Sequence, residues 1–478
     1  MSRSHKNSHV VAFASTCLLG FIAYASGCSV PDRTYYDDGG GTSNGGTQTN
    51  GGSANHGGTS NGGTGNIGQA GQGEAGTGAT TSAPIHGLLA VAGVTTDKAS
   101  QDVVSLIDPT TGAELARQTI SGATVVGLAY DGADNKDVWF EFTSTSFPAP
   151  VDSKADLQVY AFDDTTSKWS AVAAKAVTAL PPPRADSFVV LNDRLSYLSH
   201  DTVSGVDTLT VLDTTDPKAV TQIKFTSPTF AGEVIGMVGT RGAPGDPTAT
   251  GGTLAILIGE GCAGANASRT CMDLAVLPVF VGSDDVSAAA LKPYSATFGG
   301  QPAFTSAQAT QLAYVAFPPA TGNVKLQYFD PRDLTTVKNE SVAFASRWLG
   351  GLAYAECQKV AVFTAVAEGE LYAVTPSGLT ENVELGYPGQ TVVYEPFTGR
   401  AITLFNPDNP LYQNSGFVAP AGAGGEGGGS SSDSPSLNAF DVASDATLSA
   451  VSAANWKPPT DLAANLAVAR FPVSYQCK

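Results

Sequence analysis

From residue 87 onward the chain alternates between short apolar runs and clusters of Gly, Pro, Asp, Thr and Ser. Runs of four to eight β-branched and aromatic residues between such clusters predict short strands joined by tight turns. "VVSLIDPTTGAEL" (103–115) is the clearest case: an apolar strand, a turn opened by Asp108-Pro109 and closed by Gly112, then a second strand. The same outline returns as "LQVYAFDDTTSKW" (157–169), "LTVLDTTDPKAV" (209–220), "VKLQYFDPRDLTTV" (324–337) and "LNAFDVASDATL" (437–448). "LAVLPVFVGSDD" (274–285) and "ELYAVTPSGLTE" (370–381) are weaker copies without the aspartate, and the mean step is about fifty-five residues. Asp108, Asp163, Asp213, Asp330 and Asp441 share the turn position.

A second hairpin-like element lies between these copies, as in "SFVVLNDRLSYL" (187–198), "QLAYVAF" (311–317), "GLAYAECQKVAVF" (351–363) and "VVYEPFTGRAITLF" (392–405). Each unit then holds about four strands. A lone four-stranded sheet cannot bury both faces, whereas radial stacking of such sheets does so and leaves only short edges. Seven copies predict an all-β fold, a seven-bladed β-propeller of four-stranded antiparallel blades over 84–478. Six or eight blades, or two stacked β-sandwiches, are the alternatives. "GLLAVAGV" (87–94) starts mid-unit and "NLAVARFPVSYQ" (465–476) has no sheet of its own, so the two are expected to complete one blade and close the ring. "SLIDPTTGAELARQTISGATVVGLAYDG" resembles the YVTN-type repeats, within a broad class that includes WD40-like proteins, although the WD signature is absent.

The N-terminal pattern is different. Arg3, His5 and Lys6 precede an apolar stretch from Val10 to Ala25, long for a signal core and short of a ~20-residue membrane span. Ala25-Ser26-Gly27-Cys28 resembles the lipobox of bacterial lipoproteins, with alanine where leucine is commoner. That resemblance implies cleavage after residue 27, acylation of Cys28 and, with Ser29 next, delivery to the outer membrane. A plain cleaved signal is the alternative. Stable anchoring needs more than one acyl chain, which triacylation supplies. Residues 28–83 are dominated by Gly, Ser, Thr, Asn and Gln, and "GGTSNGGT" occurs twice, at 40–47 and 57–64. Such a segment cannot offset its ordering entropy and predicts a disordered tether with a reach of about 35 Å. "AGAGGEGGGSSSDSPS" (421–436), between units six and seven, predicts a mobile low-complexity excursion on one face of the propeller.

A net charge of −18 and the lack of any Lys/Arg cluster argue against nucleic acid. Cys17 leaves with the signal and Cys28 is the acyl site, so Cys262, Cys271, Cys357 and Cys477 remain and allow three pairings. Cys262 and Cys271 bracket one short loop and are expected to pair, leaving Cys357 with Cys477 to pin the last strand. No metal site is expected, because only His86 and His200 accompany these cysteines. No GxSxG elbow or phosphate loop occurs near an apolar strand, and "DGADNKD" (131–137) is too short for a calcium loop and predicts a solvated turn. No catalytic residue or cofactor is assigned. The expectation is a monomeric, membrane-anchored module that holds a protein or carbohydrate. The alternative is an extracytoplasmic enzyme of lactonase or lyase type, because some YVTN-like propellers are similar to lactonases.

Overall fold

The structure, a computed structural model, describes residues 87–470 except 97–100, 132–137, 146–153, 164–165, 167, 185–186, 202–203, 226–232, 247–248, 261–272, 283–285, 289–291, 295–297, 308–309, 320, 347, 379 and 406–435. The signal, Cys28, the linker and most of the 421–436 insert therefore lie outside the described residues.

Seven antiparallel sheets form the seven blades of a β-propeller. Blade 1 contains β1 (Leu89–Thr95), β2 (Asp102–Ile107) and β3 (Glu114–Ile120). Blade 2 contains β4 (Thr124–Asp131), β5 (Val138–Ser144), β6 (Ala155–Asp163), β7 (Lys168–Ala171) and the short β8 (Val177–Leu180). Blade 3 is β9 (Phe188–Leu191), β10 (Arg194–Asp201), β11 (Val206–Asp213) and β12 (Val220–Phe225). Blade 4 is β13 (Glu233–Arg241), β14 (Gly252–Glu260) and β15 (Asp273–Val281), flanked by β16 (Val286–Ala288) and β17 (Lys292–Tyr294). Blade 5 is β18 (Ala303–Ala307), β19 (Leu312–Phe317), β20 (Lys325–Phe329) and β21 (Thr336–Ser341). Blade 6 is β22 (Leu349–Ala355), β23 (Val360–Ala365), β24 (Glu370–Val374) and β25 (Thr380–Glu384). Blade 7 is β26 (Thr391–Glu395), β27 (Arg400–Phe405), β28 (Ser436–Val442) and β29 (Leu448–Ala450). The last strand, β30 (Leu462–Ala469), pairs antiparallel with β1 and becomes the inner strand of blade 1.

The inner strands β30, β4, β9, β13, β18, β22 and β26 each pack on the next, and β26 meets β30 again, so the ring is closed. The two-sandwich alternative is excluded. Closure joins the two chain ends as expected, with Leu89 opposite Ala469 and Thr95 opposite Leu462.

Burial explains the hydrophobic pattern. The core is seven clusters, each shared by two neighbouring blades. A middle strand therefore has apolar neighbours on both sides, and all of β23, "VAVFTA", is buried. Outer strands face solvent, and β21, "TVKNES", is exposed at alternate positions or more. Tight approach of inner strands uses glycine: a Cβ on Gly350 would fall 2.2 Å from the Gly389 carbonyl oxygen of blade 7.

All seven "VVSLID"-like copies form the third strand, turn and fourth strand of a blade, and the intervening elements form the first two strands. The 406–435 connection joins β27 to β28 inside blade 7, so the low-complexity insert interrupts a blade and does not separate two of them. Its last residue, Ser436, already belongs to β28.

Candidate functional site

A four-stranded meander places its first and third turns on one face of the propeller and its middle turn and blade crossovers on the other. The first face, here the turn face, carries all five repeated aspartates. Asp108 accepts hydrogen bonds from Thr110 N (2.8 Å) and Thr111 Oγ1 (2.9 Å). Asp163 accepts one from Thr166 Oγ1 at 2.8 Å. Asp213 accepts from Thr215 N (2.8 Å), Thr215 Oγ1 (2.6 Å) and Asp216 N (3.2 Å). Asp330 accepts from Arg332 N (2.9 Å) and from its guanidinium. These four close their own turns, as short acceptor side chains do. Asp441 differs: its carboxylate pairs with Arg400 Nε at 2.9 Å, from the residue opposite it on β27. In the weak copy of blade 6 Thr375 stands at this position and shares a hydrogen bond with Ser377 Oγ. The repeated aspartates are fold elements that fasten the turn face.

Asp131, the first residue of "DGADNKD", is buried rather than solvated, and 132–137 lie outside the described residues. Cys262, Cys271 and Cys477 also lie outside them, so no disulfide joins two described residues. Cys357 sits in the first turn of blade 6, after β22. Among the described residues no three or more His, Cys, Asp or Glu side chains gather as metal ligands do.

The opposite face, the loop face, carries most of the long connections: 145–154, 261–272 and 406–435 join second to third strands, and 451–461 leads into β30, while the turn face has one of ten residues, 242–251. Between blades 1 and 2 this face holds an open cavity of about 370 Å³. Gln101 and Asp102 come from the turn into β2, Ile120 to Thr124 from the crossover between blades, and Ser144 and Thr145 from the end of β5. Asp102 is half-buried. Its Oδ2 accepts the Val125 N–H at 2.9 Å, and burial raises its pKa above the usual carboxylate value despite that bond. Gly122 has φ +74°, the left-handed conformation that lets the crossover turn there, and nothing lies within 4 Å of an added Cβ.

Blade 3 places His200 on the same face. His200 on β10 and Asp207 on β11 are register partners, with Nδ1 2.9 Å from Asp207 Oδ1 and the histidine side chain 45% exposed. Such a pair fixes the tautomer and orientation of an imidazole.

Two buried carboxyls were missed by sequence reasoning. Glu141 on β5 is 1% exposed, and it faces blade 1, as Trp139 two residues before it does. Its Oε2 has no hydrogen-bond partner, and burial pushes its pKa up to about 7. Glu395, at the end of β26, is fully buried but accepts hydrogen bonds from Phe397 N (3.0 Å), Thr398 N (2.8 Å) and Thr398 Oγ1 (2.5 Å). A Cβ on Gly87 would fall 2.4 Å from Glu395 Oε1, so only glycine lets the incoming chain pass this carboxylate. Burial raises the Glu395 pKa, while its hydrogen bonds and the nearby Arg470 charge oppose that rise.

No family model and no curated protein matches the sequence. Solved structures do match, at the level of fold. A candidate 6-phosphogluconolactonase from Bacteroides uniformis is 12% identical, with TM-score 0.50, over 80% of this chain and 99% of that one. A second, from Bacteroides fragilis, is 11% identical with TM-score 0.49, over 82% of this chain and all of that one. Raptor of Chaetomium thermophilum is 13% identical with TM-score 0.45 over 67% of this chain, which spans only 26% of Raptor's length. At such identities the likeness shows the propeller fold alone, and the fold does not choose a chemistry.

Proposed function

We propose that this chain is an exported lipoprotein, acylated at Cys28 and held at the outer membrane. Its propeller acts as a monomeric binding module that presents the loop face to a protein or carbohydrate. The observation that carries the reading is the inequality of the two faces. The turn face spends its polar side chains on its own turns, whereas the loop face combines long connections with an open polar cavity. Ligand sites occur preferentially on loops held by a rigid scaffold. The Gly-rich segment serves as the tether. Photo-crosslinkers placed singly at Thr145 or Ser204 on the loop face, and at Thr111 or Thr215 on the turn face, test the binding half in cells. Adducts from the loop-face positions alone are expected; equal yields from both faces, or none, overturn it. Mass spectrometry of the mature N-terminus tests the anchor: a triacylated Cys28 is expected, and an unmodified terminus elsewhere removes it.

The second reading, an enzyme of lactonase or lyase type, has one observation in its favour, the oriented His200–Asp207 pair. It requires turnover of a lactone or uronate-polymer panel that His200→Gln abolishes.

A further inference from the structure

The cavity between blades 1 and 2 has a chemistry that selects among ligands. Its lining holds one carboxylate (Asp102), one amide (Gln101), four hydroxyl side chains (Ser121, Thr124, Ser144, Thr145) and two apolar side chains, Ile120 and Ala123. Among the described residues, no lysine, arginine or histidine lines it. Asp102 is held in place through Oδ2 by the Val125 N–H, and no described residue donates to Oδ1. A fixed, half-buried carboxylate with one open oxygen is a strong acceptor for ligand hydroxyl groups. The same charge repels phosphate, sulfate or uronate groups, and the −18 net charge of the chain adds to that repulsion. Ile120 and Ala123 supply a small apolar wall, suited to the C–H side of a saturated ring. The volume lies within the ~300–1,000 Å³ usual for small-ligand sites.

We infer that this cavity binds a neutral sugar unit, with Asp102 Oδ1 accepting one or two of its hydroxyl protons and the crossover residues 120–124 forming the wall beneath it. The inference rests on the loop-face binding reading and narrows it from protein or carbohydrate to uncharged carbohydrate. A free amine would also be drawn to Asp102, but one carboxylate among the described lining residues leaves an ammonium group short of countercharge, whereas Ser121, Thr124 and Thr145 can meet sugar hydroxyls; Ser144 Oγ is committed to the Lys154 carbonyl.

The test is calorimetric titration of the full chain with the methyl glycosides of glucose, galactose, mannose and N-acetylglucosamine. Glucuronate and glucose 6-phosphate serve as anionic counterparts, and glucosamine as the cationic one. At least one neutral glycoside is expected to bind, with the anionic sugars tenfold or more weaker. Asp102→Asn keeps an acceptor for Val125 N–H and is expected to lower neutral-sugar affinity about tenfold. Ser121→Trp, at an exposed crossover position, is expected to abolish binding by filling the mouth. Absence of binding by every neutral glycoside, preference for glucosamine or for an anionic sugar, or affinity unchanged in both variants overturns the inference. A crosslinked loop-face ligand whose capture survives both substitutions would remove the sugar site while leaving the binding module in place.

Discussion

Glu141 and Glu395 are both glutamates at strand positions beside another blade, yet their surroundings set them apart. Glu395 has three hydrogen-bond donors, and Glu141 has no donor at Oε2. The residues around Glu141 are apolar or neutral: Leu128 and Gln158 flank it in register, and Tyr160 and Trp139 lie on the same side of blade 2. Its folded pKa near 7 stands above the ordinary glutamate value of 4.5, so between these pH values the native state holds a proton that the unfolded chain has lost. The protonated form therefore supports stability fully below about pH 4.5, and that support is lost as pH rises through about 7. The shift corresponds to about 3 kcal/mol. Glu141→Gln should remove the pH dependence: thermal melts of parent and variant converge near pH 4.5, and the variant melts higher above pH 7. A variant that melts lower at pH 8 would contradict this. The effect could not be read from "DVWFEF", because the strand shows that residue 141 alternates with 140 and 142 but not that blade 1 closes over it.

At the scale of the element, the third-to-fourth-strand hairpin was the most legible part of the chain. An aspartate followed two or three residues later by a threonine states its own turn, and such local chemistry survives in sequence. Asp441 shows the limit: the letter is the same, but Arg400 across the ladder takes its carboxylate. Asp213→Ala should cost about 1–2 kcal/mol, because three turn donors lose their acceptor and Arg194 loses its ion-pair partner, whereas Asp441→Ala removes an exposed ion pair alone and should cost about 0–1 kcal/mol. Chemical denaturation of the two variants compares them directly, and equal losses would refute the distinction. The cavity at Asp102 was not legible, since three separate connections build it. Strand placement also bears on the cysteines. Cys357 follows β22 on the turn face, and β30 ends on that same face at Ala469. Cys477 is seven residues beyond Arg470, a span of up to about 24 Å. Cys262 and Cys271 belong to the 261–272 connection, which leaves blade 4 on the loop face. Since bridged Cα atoms lie within about 7 Å, non-reducing peptide maps should show Cys357–Cys477 and Cys262–Cys271. Alkylatable thiols at 357 and 477 would refute the first pair. The larger loop, of about 120 residues, stabilises by about 4–5 kcal/mol in the chain-entropy model, so reduction should lower the melting temperature.

For the whole molecule, closure depends on one strand. β30 supplies Leu462 and Ala464 to the cluster between blades 7 and 1, and Leu466 and Val468 pack against the cluster between blades 1 and 2. Removing residues from 461 onward takes away both contributions and leaves β1 with an unpaired inner edge. The loss should exceed the ~5–15 kcal/mol that holds a typical domain together. The truncated chain is expected to lose its cooperative thermal transition, and a peptide covering 459–478 added in trans should restore it. A truncated chain that still melts cooperatively without the peptide would show that six blades and a partial seventh suffice. This part of the architecture was legible because the first unit lacks a strand and the last run lacks a sheet.

The pairing of β1 with β30 also gives the propeller a direction under load. Leu89 and Ala469 are opposite each other, so the incoming and outgoing chains leave the same end of one antiparallel pair. A pull between the two ends peels that pair apart one rung at a time, and the ring opens like a zipper at low force. A pull between the N-terminal end of β1 and a load on the opposite face runs along the strands instead, and many rungs resist together. Loaded in that way, the propeller would meet force in its strong direction, with the rungs of the β1–β30 seam sheared together and not opened one by one.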